Sequence, residues 1–200
     1  KMLSDFGLWE GKQVVPKEAV ELLIGKSFPL GKQPYYCLGL TKSLVDGQII
    51  CEHTGGLHGV SSIGGFTDSG YSATVLCNEG EVDVEEFEWA CYNYILGLPL
   101  EKSHEWAVPI EKSFSMPEAL CGDFLAEEGL PSHAVVTLDH GILKADYGGT
   151  KTLLKYCGGT VFAAVSEKDP QKRVSTLEVF IRDGKAWAVR CYNRMYQRVC

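Results

Sequence analysis

No apolar run in the sequence approaches the roughly 18 residues that a bilayer-spanning helix needs, which excludes a transmembrane helix. Clustered positive charge is missing as well. Nineteen Lys and Arg stand against 26 Asp and Glu, for a net charge of −7. Nucleic acid and anionic membrane surfaces are therefore excluded as partners, since both are bound through concentrated Lys and Arg. None of the eight cysteines is spaced C-x-x-C, so zinc-ribbon and thioredoxin-type signatures are absent. The first residues, Lys1-Met2-Leu3-Ser4-Asp5, lack the apolar core of a secretory leader, and they do not start with Met. The chain reads as beginning partway through a longer protein. No repeat and no low-complexity tract interrupts it.

What is present is ordinary globular composition, 45% hydrophobic and 22% charged over 200 residues. Most cysteines sit among apolar neighbours, as in Val75-Leu76-Cys77, and behave as free, buried small hydrophobes. Free thiols point to a reducing, cytoplasmic compartment; a leader on a longer parent would make it extracytoplasmic.

Helix signals occur twice in the first half. Pro16 stands at a first helical position, with Glu18 and Glu21 in the early turns and Gly25 as the stop. Asp83 and Glu86 form a capping-box-like pair. Phe87, Ala90, Cys91, Tyr94 and Ile95 then follow the spacing of one buried helix face, ended by Gly97 and Pro99. Between the helices the pattern is that of strands, over 35–45, 48–54, 60–67 and 71–77. Asp46-Gly47 is a strong two-residue hairpin signal and Asp68-Ser69-Gly70 a looser one. A polar, Pro-containing stretch follows. From Ala119 on, short strand candidates at 134–138, 142–147, 152–157, 160–165, 174–181 and 186–192 alternate with Gly-containing turns, which predicts a closed or nearly closed meander. The fold class expected is α+β. An antiparallel sheet with flanking helices occupies 1–102, a linker 103–118, and an all-β meander or lipocalin-like barrel 119–200.

The stretch CEHTGGLHGVSSIGG, residues 51–65, concentrates glycine where sheet is expected, although glycine weakens strands. Either sharp turns or close approach of a ligand would account for it. His53 and His58 are five apart, which suits neither the helical nor the strand spacing of a zinc pair; no metal and no cofactor is expected. His104, His133 and His140 read as surface residues, and Glu85, Glu86 and Glu88 as a solvated helix end favoured by the helix dipole. Ser61 and Ser62 lie in no G-x-S-x-G elbow.

The segment HTGGLHGVSSIGGFTDSGYSATVLCNEG, 53–80, resembles the third motif region of the serine β-lactamase-like hydrolases, a group that includes class C β-lactamases, D,D-peptidases, D-aminopeptidases and esterases. The box itself is His53-Thr54-Gly55. KMLSDFGLWEGKQVVPKEAVELL, at the start of the chain, resembles a further segment of that family, and the β-rich tail resembles the small domain that often follows. The resemblance implies hydrolysis through an acyl-enzyme. Gly56 would give an oxyanion N–H, His53 would act beside the nucleophile, and Thr54 and Gly55 would border the substrate. No Ser-x-x-Lys is present, and neither is a correctly spaced Tyr-x-Asn. The expectation is therefore a C-terminal, penicillin-binding-protein-like fragment that supplies one wall of the site and is inactive alone. Its expected partners are the upstream part of the same protein and a small-molecule or peptide substrate, with self-association through an uncovered sheet face. The alternative is a non-catalytic binding protein on the same scaffold.

Overall fold

The computed structural model describes residues 2–25, 35–80, 82–127, 132–191 and 194–199. Tyr192, at the end of the last expected strand, and Cys200 lie outside them. Two compact units are present, Lys1–Trp106 and Ala107–Cys200. The described residues are mostly β, with two α-helices.

The first unit opens with a small hairpin, β1 (Leu8–Trp9) and β2 (Lys12–Gln13), turned by Glu10 and Gly11 at positive φ. Helix α1 (Lys17–Gly25) follows. A five-stranded antiparallel sheet then runs in simple order: β3 (Tyr35–Tyr36), β4 (Thr41–Val45), β5 (Gln48–Leu57), β6 (Val60–Thr67) and β7 (Ser72–Cys77). The single strand expected over 35–45 is broken, because the chain reverses at Gly39 (φ 90°) and Cys37 N–H donates to Leu40 O at 2.7 Å. Asp46 and Gly47 both take positive φ, 47° and 83°, the two-residue turn whose twist matches its strands.

Helix α2 (Val84–Leu96) packs on β6 and β7 and ends at Gly97 in the left-handed region (φ 69°), with Leu98 N–H returning to Asn93 O. Its orientation reverses the expected one. Phe87, Cys91, Tyr94 and Ile95 face outward, Tyr94 being 78% exposed, while Val84, Glu88, Tyr92 and Asn93 are buried. The inward amide of Asn93 finds partners. Asn93 Nδ2 donates to Leu100 O and Lys102 O, and its Oδ1 accepts from His104 Nε2 at 2.7 Å. His104 stacks on Trp89. Periodicity reports that a helix has an apolar stripe; it does not report what covers the stripe.

The second unit is a closed, sequential eight-stranded antiparallel barrel. A short 3₁₀ turn, Pro117–Leu120, leads into it. Its strands are β8 (Gly122–Ala126), β9 (Ser132–Asp139), β10 (Ile142–Tyr147), β11 (Thr150–Gly158), β12 (Val161–Ser166), β13 (Arg173–Arg182), β14 (Lys185–Cys191) and β15 (Arg194–Arg198). The core sets Phe124, Phe162 and Leu177 against Ala126, Ala134, Ala145, Ala164 and Ala186, an alternation of large and small side chains that fills a narrow barrel. Tight turns at His140-Gly141 and Asp183-Gly184 again place both residues at positive φ. Register breaks at Tyr156/Gly158, Ala164/Val165 and Phe180/Ile181 bend the strands around the closure. The barrel agrees with the expected meander. Among the described residues no helix is long and apolar enough to cross a membrane.

Candidate functional site

The glycine-rich stretch forms the far end of the β5–β6 hairpin. Its register sets an asymmetry. Strand β4 pairs with β5 only as far as Thr41↔Glu52, whereas β6 follows β5 to Leu57↔Val60. In an antiparallel pair, hydrogen-bonded and non-bonded positions alternate. The tight Asp46-Gly47 turn makes Val45↔Gln48 a bonded pair, so residues 48, 50 and 52 turn their backbone groups toward β4. By the same alternation Thr54 and Gly56 point into the lane beyond the end of β4. Among the described residues no strand occupies that lane. Residues 53–57 are all exposed.

Side chains fix the edge. Tyr36 OH meets His53 Nε2 at 3.0 Å, and His53 Nδ1 meets Thr54 O at 2.5 Å. A carbonyl only accepts, so Nδ1 carries a proton and donates it to Thr54 O. The imidazole is engaged at both nitrogens. Among the described residues, the N–H groups of 54 and 56 and the carbonyl of 56 therefore have no strand partner.

The two serines are committed elsewhere. Ser62 Oγ donates to Gly55 O at 3.1 Å, and a Cβ at position 55 would lie 2.6 Å from that oxygen. Gly55 is thus glycine because Ser62 folds over it. Ser61 is buried and accepts from Val82 N–H, anchoring the approach to α2. Gly56 differs, since a Cβ there would meet nothing nearer than Val60 O at 3.8 Å. No described neighbour requires glycine at 56. On the sheet face opposite α2, Leu57 and Leu76 stand 81% and 78% exposed beside Val60. Farther along β6, a hollow of about 330 Å³ is lined by Met2, Leu3, Leu40, Gly64, Gly65, Phe66 and Ser72.

A second cluster lies on the α2 face, and the sequence reading missed it. Residues paired across strands share a face, so Glu52 of β5 lies beside Gly65 of β6 and Thr41 of β4, beneath α2. Glu88 of α2 is 0% exposed, which corrects its reading as part of a solvated helix end. Tyr92 Oη donates to Glu88 Oε1 at 3.4 Å. Burial pushes Glu52 well up, and the facing Glu88 and Glu85 add to the shift. Burial raises Glu88 too, offset by hydrogen bonds from Glu52 and Tyr92. The available signal was Glu88 spaced i, i+4 from Tyr92 within the stretch EFEWACY. Among the described residues, no group of three or more His, Cys, Asp or Glu is placed to hold a metal ion.

Sheet and barrel together define the class, a two-unit, mostly β chain. No family model and no curated protein matches the sequence. Solved structures do match in fold. The crystal structure of SurE with D-Leu has a TM-score of 0.66 at 18% identity, covering 99% of this chain and 48% of that one. A second SurE crystal structure has a TM-score of 0.65 at 18% identity, covering 93% of this chain and 43% of that one. An octameric penicillin-binding protein homologue from Pyrococcus abyssi reaches only 0.44 at 16% identity, covering 98% and 44%. The chain spans less than half the length of the solved chains it matches. At these identities the likeness is one of fold.

These findings correct the expected recognition and function. The solved structures with the higher scores are both SurE. The β-lactamase-like domain with flanking helices, the acyl-enzyme reaction and the binding protein on that scaffold are set aside. The physical reason lies in the motif. Gly55 makes room for Ser62, Gly59 (φ 79°) turns the hairpin and Gly65 makes room for Glu52 and Tyr92. Local packing or turn geometry thus explains Gly55, Gly59 and Gly65 among the glycines that carried the resemblance.

Proposed function

We propose that the sheet unit recognises an extended, peptide-like chain by taking it up as a strand beside Thr54–Leu57. The observation that carries this reading is the register: β5 continues past the last β4 pair with backbone groups directed into a lane that no described strand occupies. Strand addition supplies affinity through main-chain hydrogen bonds and selectivity through side-chain contacts on the two faces. Leu57, Val60 and Leu76 give an apolar surface on one face. Gly56 leaves the other flat. Each added backbone bond contributes about 1 kcal/mol net, so with the apolar contacts an affinity of about millimolar is expected. His53, Thr54, Gly55 and Gly56 enter this reading as binding-strip residues: His53 holds the edge, Gly55 seats Ser62, and Thr54 and Gly56 present the donors.

The test uses a fluorescein-labelled hexapeptide of alternating valine and threonine, with a D-leucine-terminated version because one SurE structure was solved with that amino acid. Binding should shift the Thr54 and Gly56 amide resonances. Gly56→Pro removes a donor from the open edge without touching the β6 ladder, and it should weaken binding at least tenfold. His58→Ala, in the turn, should leave binding within twofold. Peptide shifts confined to other strands, or equal affinity for Gly56→Pro and wild type, would sink the reading.

A further inference from the structure

Glu52 and Glu88 face each other, and among the described residues no cation balances them. Their Oε2 atoms are sealed from water and lack another partner. The groups around them are neutral or acidic. Helix α2 contributes Tyr92 and Glu85, and Glu85 is itself faced by Asp83 and Glu105. Strand β4 contributes Thr41, β6 contributes Gly65, and β7 contributes the backbone of Ala73 beside Tyr92. On the far face of β5 lies the buried thiol of Cys51. Gly65 is what lets the strand carboxyl and the helix tyrosine meet. A Cβ there would lie 2.7 Å from Glu52 Cβ and 3.0 Å from Tyr92 Oη.

Two carboxylates deprived of water, with no described cation beside them, cannot both ionise without strong repulsion. The stable arrangement keeps one proton between them, with the Glu52 carboxylic O–H donating to the Glu88 carboxylate and Tyr92 donating to its other oxygen. Glu52 also forms the last β5 pair with β4, and Thr54, the first open-edge residue, is two positions on and on the same face. We infer that the proton shared by Glu52 and Glu88 is a clasp that positions the Thr54–Gly56 edge, so that strand uptake there fails once the proton is lost.

Glu52 and Glu88 are thus positioning residues, and the inference rests on the strand-uptake reading. The sign follows from the raised carboxyls. The unfolded chain releases these protons near the ordinary value of 4.5, whereas the folded pair holds them up to about 7 and about 9. Stability and edge order therefore fall as pH rises through this window, and level off above it.

Two measurements on the full chain test this from pH 6 to pH 10. Affinity for the valine–threonine hexapeptide should fall at least tenfold for wild type. It should stay within twofold for Glu52→Gln, whose amide donates to Glu88 at every pH. Infrared spectra of the ligand-free protein should show a carboxylic acid C=O band at neutral pH, absent from Glu52→Gln and lost from wild type as binding is lost. A missing band at neutral pH, or pH-independent wild-type binding, would overturn the clasp alone. A hexapeptide that binds at no pH, with the band in place, would overturn strand uptake and with it the clasp's positioning role.

Discussion

Gly65→Ala is expected to destabilise the sheet unit by about 3 kcal/mol, at the upper end of what overpacking a filled interior costs. The added methyl would lie 2.7 Å from Glu52 Cβ and 2.8 Å from Cys51 O, the latter a backbone atom that cannot turn aside. For a unit of this size the melting point should drop by roughly 15 °C. Amide exchange in β5 and β6 should report the loss most directly, since those strands hold the displaced atoms. Gly64→Ala is the matched control. The adjacent glycine points to the other face, where the nearest atom is Thr74 Oγ1, on a movable side chain at 3.3 Å, and its cost should stay below about 1 kcal/mol. Equal losses at 64 and 65 would show that the crowding of Glu52 and Tyr92 is not what demands the glycine.

The second large effect belongs to the barrel. Arg190 and Glu178 are direct partners across β13 and β14, only 4% and 6% exposed, with Nη2 and Oε2 3.1 Å apart. Burial pulls the guanidinium down from its usual value, and Glu178 opposes that pull. Removing one member of such a pair leaves the other charge buried and uncompensated, at about 3–5 kcal/mol. Arg190→Met should therefore cost that much. The double variant Arg190→Met with Glu178→Leu should recover most or all of it, because both desolvation penalties disappear together. Chemical denaturation followed at Trp187, which lies on β14, measures all three variants. A double variant as unstable as the single one would mean that the pair contributes more than it costs to bury.

Much of the fold was legible because turn chemistry is local. Asp46-Gly47, His140-Gly141 and Asp183-Gly184 each announce a reversal that the backbone then makes with both residues at positive φ. The barrel strands were legible because they are short and separated by glycine-containing turns, and β10 also alternates, with Leu143, Ala145 and Tyr147 buried. The turn at Gly39 was not read, since Cys37–Leu40 carries no turn dipeptide. The facing of α2 was not legible at all. Its apolar stripe is real, but Glu88 and Asn93 are drawn inward by partners outside the helix, Glu52 and the carbonyls of Leu100 and Lys102. At the candidate site, His53 through Gly56 could be singled out from sequence. The open lane could not, because it depends on where β4 stops rather than on what β5 contains. Short motifs misled for a related reason: glycines placed to relieve crowding resemble glycines placed to admit a substrate.

The barrel seam has a consequence for how the second unit folds. Closure rests on two register pairs between β8 and β15, Phe124↔Arg198 and Leu125↔Gln197, with Arg198 capping the seam by donating to Cys121 O and Ala186 O and lying over the Phe124 ring. Every other strand pair joins neighbours along the chain and can zip locally; this one must bring together opposite ends of the unit. Such distant contacts are slow to form, because loop closure precedes any gain from pairing. On a ribosome the meander can assemble hairpin by hairpin, yet β8 remains an unpaired edge until β15 has emerged. In that interval it is the strand most exposed to pairing with another chain.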